Sequence, residues 1–176
     1  VLVGEIRDRI TAQFAVEAAL TGHLVLSTLH TNDAPSAMTR LVEMGIEPFL
    51  VGSSVDAVLA QRLVRRLCEW CKQPYRPERD ELTAAGWPRE TLGEPEQLFR
   101  AVGCRSCSNT GYRGRLAVNE VMPVSEEIER LTVSHSPASD LAKAARAEGM
   151  VPLRDDGLSK AGQGLTTLEE VLRVTV

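Results

Sequence analysis

Residues 1–33 read VLVGEIRDRITAQFAVEAALTGHLVLSTLHTND, and the fold is decided there. Three apolar residues, Gly4 and then Glu5 predict a short buried strand. From Thr11, Ala12, Ala15, Val16, Ala19 and Leu20 recur at helical spacing, and Gly22 is placed to end that helix. His23-Leu24-Val25-Leu26-Ser27-Thr28 predicts a second buried strand, followed by a polar loop from Leu29 to Asp33. A strand, a helix of crossover length and a second strand favour a parallel pair with helices packed on it. Glu5 and His30 then fall at the same end of the two strands.

Beyond this unit, Asn32 or Asp33 can cap a helix with Pro35 in its first turn. Ala37, Leu41 and Met44 line its buried side, and Gly45 stops it. Val51, Val55, Leu59, Leu63 and Leu67 lie four apart and predict one stripe of a long helix, with Arg62, Arg65 and Arg66 on its solvated face. The character changes at Cys68. Residues 68–115 are rich in Pro, Gly, Arg and Cys and weak in apolar periodicity, which reads as an inserted module. Leu116–Met122 predicts a short strand, and Ser136-Pro137 starts a helix with Leu141, Ala144 and Ala145 inside and Gly149 after its end. Thr166-x-x-Glu169 has capping-box spacing before Leu168, Val171 and Leu172. The expected division is 1–67, an α/β core; 68–115, the cysteine module; and 116–176, a strand and a mostly helical end.

Composition sets outer bounds. The chain has 176 residues, 43% hydrophobic and 25% charged, as in an ordinary globular domain rather than a disordered one. No apolar run approaches the ~20 residues that span a bilayer, so no direct membrane insertion is expected. The formal charge of −4 and an aromatic content of 4% give no support to nucleic-acid binding. No signal peptide is visible at the start. The chain opens without Met on an apolar run and reads as a fragment of a longer protein.

All four cysteines fall in two pairs, Cys68-x-x-Cys71 and Cys104-x-x-Cys107. Two intervening residues let both thiolates of a pair turn onto one tetrahedral ion, and two such knuckles complete a Cys₄ zinc site. The 32-residue gap between the pairs is long, but loop-closure cost grows slowly with length. Gly103, Ser106 and Ser108 suit a tight turn that aims backbone N–H groups at sulfur. Four thiolates leave no open coordination position, so such a zinc would be structural. Two disulfides or four free thiols are the alternatives.

Glu5 at a strand end can hold Mg²⁺ through water or orient an attacking water. His30 can contact a terminal phosphate, and Arg7 can offer charge to a phosphate or to a neighbouring subunit's carboxylate. His23, at a strand start, has a phosphate role or a structural one. Taken singly, these signals are weak: Glu5 and His30 read more simply as surface residues and His23 as a structural one.

Their order is more specific. Val1-Leu2-Val3-Gly4-Glu5-Ile6-Arg7-Asp8 resembles the Walker B segment of the secretion ATPases, and 21–34, TGHLVLSTLHTNDA, resembles their histidine box. Leu59-Ala60-Gln61-Arg62-Leu63-Val64, Gly111-Tyr112-Arg113-Gly114-Arg115 and 166–173, TTLEEVLR, extend the similarity along nearly the whole chain, weakest at 76–100 and 134–150. The family is the hexameric ATPases of type II secretion and type IV pilus assembly. The four cysteines are typical of its secretion and pilus-extension branch rather than the retraction branch.

The resemblance implies the C-terminal part of a RecA-like P-loop NTPase domain, a Cys₄ zinc module and a small helical C-terminal region. It implies that Glu5 acts at Mg²⁺ and the attacking water, that His30 reads the γ-phosphate of ATP, that His23 is a second nucleotide contact and that Arg7 is a nucleotide-state or interface contact. Cys68, Cys71, Cys104 and Cys107 match the Zn²⁺ ligands. The implied assembly is a homo-hexameric ring, cytoplasmic and peripheral at the inner membrane, with the zinc module facing a membrane platform protein. The family also needs a Gly-rich phosphate loop ending in Lys and Ser/Thr, which these residues do not contain. The chain by itself is therefore expected neither to bind ATP tightly nor to hydrolyse it. Two other readings are a non-catalytic, zinc-stapled interaction module and a DNA-translocating ATPase, the latter disfavoured by acidity and few aromatics.

Overall fold

Asp8 begins the first helix: its side chain accepts the Thr11 N–H at 2.8 Å, satisfying one of the donors that a helix start leaves free. A computed structural model describes residues 1–175. In chain order come α1 (Arg9–Leu20), α2 (Pro35–Glu43), α3 (Pro48–Ser54), β1 (Ala57–Leu67), β2 (Gln73–Tyr75), α4 (Arg79–Ala85), α5 (Arg89–Leu92), β3 (Leu98–Arg100), a 3₁₀ turn (Arg105–Cys107), β4 (Tyr112–Pro123), α6 (Glu126–Val133), α7 (Ala138–Ala147), α8 (Leu153–Gly162) and α9 (Leu168–Val174). Strand β1 pairs with β4, and β2 pairs antiparallel with β3 in the register Gln73–Arg100, Pro74–Phe99, Tyr75–Leu98. The described residues form two compact units, 1–60 with 120–151 and 61–119 with 152–175.

The first unit is built on helices. Ala12 and Val16 of α1, Met38 and Leu41 of α2, Val51 of α3, Met122 of β4, Ile128 of α6 and Leu141 of α7 share one buried core. Helix α2 carries Pro at its first position and ends before Gly45, whose φ of +88° suits a residue without Cβ. The expected buried side of α2 holds at Ala37 and Leu41. Met44 is half-buried, and Met38 is fully buried instead.

Segments 1–5 and 23–28 pair in parallel, but as a single bridge between Leu2 and Leu26 rather than as buried strands. Val3 N–H donates to the Leu26 carbonyl, Leu26 N–H to Val1 and Ile6 N–H to Thr28, each at 2.9 Å. Leu2 is 80% exposed and Leu26 58%. Parallel strands are buried when both faces are covered, and two segments alone leave these aliphatic side chains in solvent.

The long helix expected through 51–67 is also corrected. Helix α3 stops at Ser54 and the chain becomes β1. A spacing of four is two strand repeats as well as about one helical turn, so Leu59 and Leu63 share a strand face equally well. That face is outward at Leu59, 61% exposed, and Leu63, 47%, and turns inward at Leu67, which is buried, as is Val64 on the other face. Strand β4 is longer than expected, starting at Tyr112 rather than Leu116.

The second unit is centred on Leu82, Trp87, Leu98, Leu158, Leu168 and Val171. Helices α8 and α9 touch closely at Gly157, where a Cβ would sit 2.6 Å from a Val171 methyl. The cap of α9 lies one residue later than expected. Thr167, not Thr166, accepts the Glu170 N–H, and Thr166 Oγ1 instead donates to the Arg65 carbonyl. Both Thr–Glu pairs have the same spacing, so the sequence alone leaves the choice open.

Arg65 is not on a solvated helix face. It stands on β1, its Nη2 2.6 Å from Glu170 Oε1 and its N–H 2.9 Å from Oε2, and Arg173 adds Nη2 at 2.9 Å. The Arg65 guanidinium lies 4.0 Å over the Tyr112 ring. Glu170 is 1% exposed. Burial pushes its carboxyl up, but the hydrogen bonds from Arg65 and Arg173 outweigh this and hold it at about 2. A depressed folded-state value stabilises the fold above the ordinary 4.5, and the contribution is lost as pH falls from there toward about 2. Glu170→Ala should cost about 3–5 kcal/mol at neutral pH, because both arginines lose their shared partner. In urea unfolding, the gap between wild type and Glu170→Gln should shrink steadily on acidification below about pH 4.5. A gap that stays constant would mean the carboxylate charge contributes nothing.

Candidate functional site

Among the described residues two clusters of chemically capable side chains stand out, one in each unit. In the first, parallel pairing fixes the geometry. Ile6 N–H meets the Thr28 carbonyl and Thr28 Oγ1 donates to the Gly4 carbonyl, both at 2.9 Å, so the residues just past each segment lie side by side. Glu5 Oε2 lies 3.0 Å from His30 Nε2, and Glu5 Oε1 lies 2.7 Å from Arg7 Nη2. The Glu5 side chain is 34% exposed, against 72% for Arg7 and 83% for His30. The hydrogen bond from Arg7, then that from His30, holds the Glu5 carboxyl below its usual range. The result is an ionised acceptor flanked by a cation and an imidazole, all open to a ligand. An acceptor-only carboxylate of this kind suits a hard cation held through water.

His23 is placed differently. Its Nδ1 lies 3.1 Å from Thr21 Oγ1 and 3.3 Å from the Ala18 carbonyl, at the C-terminal end of α1. The loop carrying His30 is tied down beyond it. Thr31 Oγ1 donates to the Asp33 carbonyl, Asp33 Oδ1 accepts the Ser36 N–H at 2.8 Å, and Glu120 Oε1 accepts the Ala34 N–H at 2.8 Å. Asp33, one of the two caps expected for α2, bonds the helix start through its side chain, although the residue at the cap position itself is Ala34. Glu120 was not among the residues expected here. Its signal is in the sequence nonetheless: Val118-x-Glu120-x-Met122 sets an acid between two apolar residues on one strand face, and all three are buried.

The second cluster is the four cysteines. All four sulfurs lie within 4.8 Å of one another. Cys68–Cys104 is 3.9 Å, Cys71–Cys107 3.8 Å and Cys104–Cys107 3.8 Å. Tetrahedral zinc with Zn–S near 2.3 Å requires sulfur separations of about 3.8 Å, which these distances fit. They are far from the ~2.05 Å of a disulfide, and all four cysteines are unpaired covalently. Backbone amides converge as the small residues suggested. Gly103 N–H donates to Cys71 Sγ at 3.3 Å, and Cys104 and Gly111 N–H donate to Cys107 Sγ at 3.1 and 3.2 Å. Burial pushes the Cys107 thiol up, but these two amides outweigh it and bring it below its usual value; burial raises Cys71. Gly111 has φ +77°, and a Cβ there would lie 2.6 Å from the Ala101 methyl, so only glycine closes the knuckle. The donor set fits a closed, structural zinc.

The family model described as type II/IV secretion system protein matches residues 1–173. The chain is 49% identical over 176 residues to the type IV pilus assembly ATPase PilB of Thermus thermophilus, covering 100% of this chain and 20% of that protein. It is 51% identical over 176 residues to the type II secretion system ATPase E of Vibrio cholerae, covering 99% and 34%. The chain thus spans between a fifth and about a third of the length of these relatives. Among solved structures, the pilus retraction motor PilT with bound ADP superposes with a TM-score of 0.64 at 21% identity, over 98% of this chain and 37% of that one. The Legionella pneumophila ATPase DotB gives a TM-score of 0.61 at 21% identity, over 98% and 37%. These two likenesses give the fold, part of a RecA-like α/β domain. The chain belongs to the type II/IV secretion system protein family.

Proposed function

We propose that this chain is the C-terminal portion of a motor ATPase subunit that hydrolyses ATP to drive type IV pilus assembly or type II secretion, with nucleotide bound between subunits of a homo-hexameric ring. The observation that carries the reading is the Glu5–His30 contact, 3.0 Å, at the end of the parallel pair. Relatives at about half identity that are named as ATPases of both systems support it.

In this reading Glu5 orients the attacking water and accepts its proton, and it is the residue that would hold Mg²⁺. Bound Mg²⁺ would supply neutralisation of the phosphate charge. His30, whose Nε2 rests 3.0 Å from Glu5 Oε2, turns an N–H to an oxygen of the terminal phosphate when nucleotide binds and returns to Glu5 on its departure. Arg7 keeps Glu5 ionised and offers charge to the phosphate or to the neighbouring subunit. His23 takes a secondary place at the nucleotide. Residues 1–67 form the ATPase-core portion, 68–115 the structural zinc module directed to a platform protein at the inner membrane, and 116–176 the helical end. Among the described residues no helix is long and apolar enough to cross a membrane. The ring would work as a peripheral cytoplasmic assembly.

Phosphoryl transfer to water is mainly positioning and charge stabilisation, so the contribution of each histidine is separable. In the full-length protein His30→Ala should lower kcat by about 10²-fold, and His23→Ala by less than about tenfold. The check is steady-state phosphate release; the reverse order would assign the phosphate contact to His23. The 176-residue chain alone, with no Gly-rich phosphate loop in its sequence, should show no turnover above background.

A further inference from the structure

We propose that Glu120 is a positioning residue for the His30 loop, acting through its hydrogen bond to the Ala34 amide. The proposal rests on the role given to His30 above. Five residues, 29–33, separate two anchors. At one end Thr28 is bonded to Gly4 and Ile6 of the segment that carries Glu5. At the other end Ala34, fully buried, gives its N–H to Glu120 at 2.8 Å. A loop this short with both ends fixed has little freedom, so the second anchor sets where the His30 imidazole stands relative to the Glu5 carboxylate.

The acid is a costly choice at that position. Glu120 is 5% exposed, and Val118 and Met122 flank it on the same face at 0%. An apolar residue of like size would pack there without the desolvation cost of a carboxylate. What such a residue cannot do is accept a hydrogen bond. Without an acceptor, the Ala34 N–H is buried and unsatisfied, and the loop must move to bring it to water. The carboxylate also lies at the start of α2, where the helix dipole favours negative charge.

The test uses the full-length protein and three variants. Glu120→Met keeps volume and removes the acceptor, Glu120→Asp keeps charge but draws the acceptor back by one methylene, and Glu120→Gln keeps both reach and an acceptor. Glu120→Met and Glu120→Asp should each lower kcat at least about tenfold with KM within about twofold. Both should also speed hydrogen exchange in a peptide covering 29–36. Glu120→Gln should stay within about threefold of wild type in kcat, with that peptide protected. Wild-type kcat and wild-type exchange in Glu120→Met would overturn the proposal. So would damage in Glu120→Gln equal to that in Glu120→Met, since the acceptor would then not be what matters. A parallel loss of nucleotide binding and melting temperature would also overturn it, by making the role purely structural. The exchange readout does not depend on hydrolysis, so it judges the anchor even if Glu5 and His30 prove not to be catalytic.

Discussion

Glu5→Gln in the full-length protein is expected to abolish ATP turnover and leave nucleotide binding intact. The substitution conserves shape and keeps one oxygen for the Arg7 contact, which is 2.7 Å in the wild type. It removes the negative charge and the basicity, and these are what the proposed role uses. A positioned base is worth roughly 10²–10⁴ in rate, so kcat should fall by at least about 10²-fold while the nucleotide Kd moves by less than about threefold. Hydrogen bonds from Arg7 and then His30 hold the Glu5 carboxyl below its ordinary range, so it is ionised wherever an ordinary glutamate is. Lowering the pH from about 7 to about 5 should therefore cause no loss of turnover attributable to Glu5. Turnover near wild type in Glu5→Gln would remove Glu5 from the mechanism.

Cys104→Ser is expected to release the metal and unfold the region around it. Cys104 sulfur lies 3.9 Å from Cys68 and 3.8 Å from Cys107, so it closes two edges of the proposed tetrahedron. A serine oxygen is shorter-reaching and a poor partner for zinc among three thiolates. Structural zinc contributes its binding energy to folding, about 10–16 kcal/mol for small zinc modules near neutral pH. Metal analysis should give close to one zinc per chain for wild type and close to none for the variant. Limited proteolysis should then cut within 68–115, where the wild type resists. Retention of one zinc per chain by Cys104→Ser would contradict the Cys₄ assignment.

Much of this was legible in the residues themselves, for reasons that differ by element. Helix α1 was readable because its apolar period and its Gly22 end agree, whereas its Asp8 cap was not anticipated. The cysteine pairs were readable because ligand spacing is short-range chemistry that the chain cannot disguise. The Glu5–His30 contact followed from one assumption, parallel pairing. Strand β1 was misread because a spacing of four satisfies both periods, and its partner β4 lies more than forty residues onward. Burial of 1–5 and 23–28 was misread because hydrophobicity predicts a covered strand, whereas cover comes from other elements. Arg65 and Glu170 are about a hundred residues apart, and no local pattern announces such a pair. Glu120 did announce itself, as an acid within a buried alternation, but only once the strand face was known.

The most direct measurement is a structure of the full-length protein with Mg²⁺ and a non-hydrolysable ATP analogue. Glu5 should lie within hydrogen-bond reach, about 3 Å, of a water on Mg²⁺ or in line with the γ-phosphate, with His30 at a γ-phosphate oxygen. A nucleotide bound with Glu5 and His30 more than about 10 Å from its γ-phosphate would contradict the proposed hydrolytic centre.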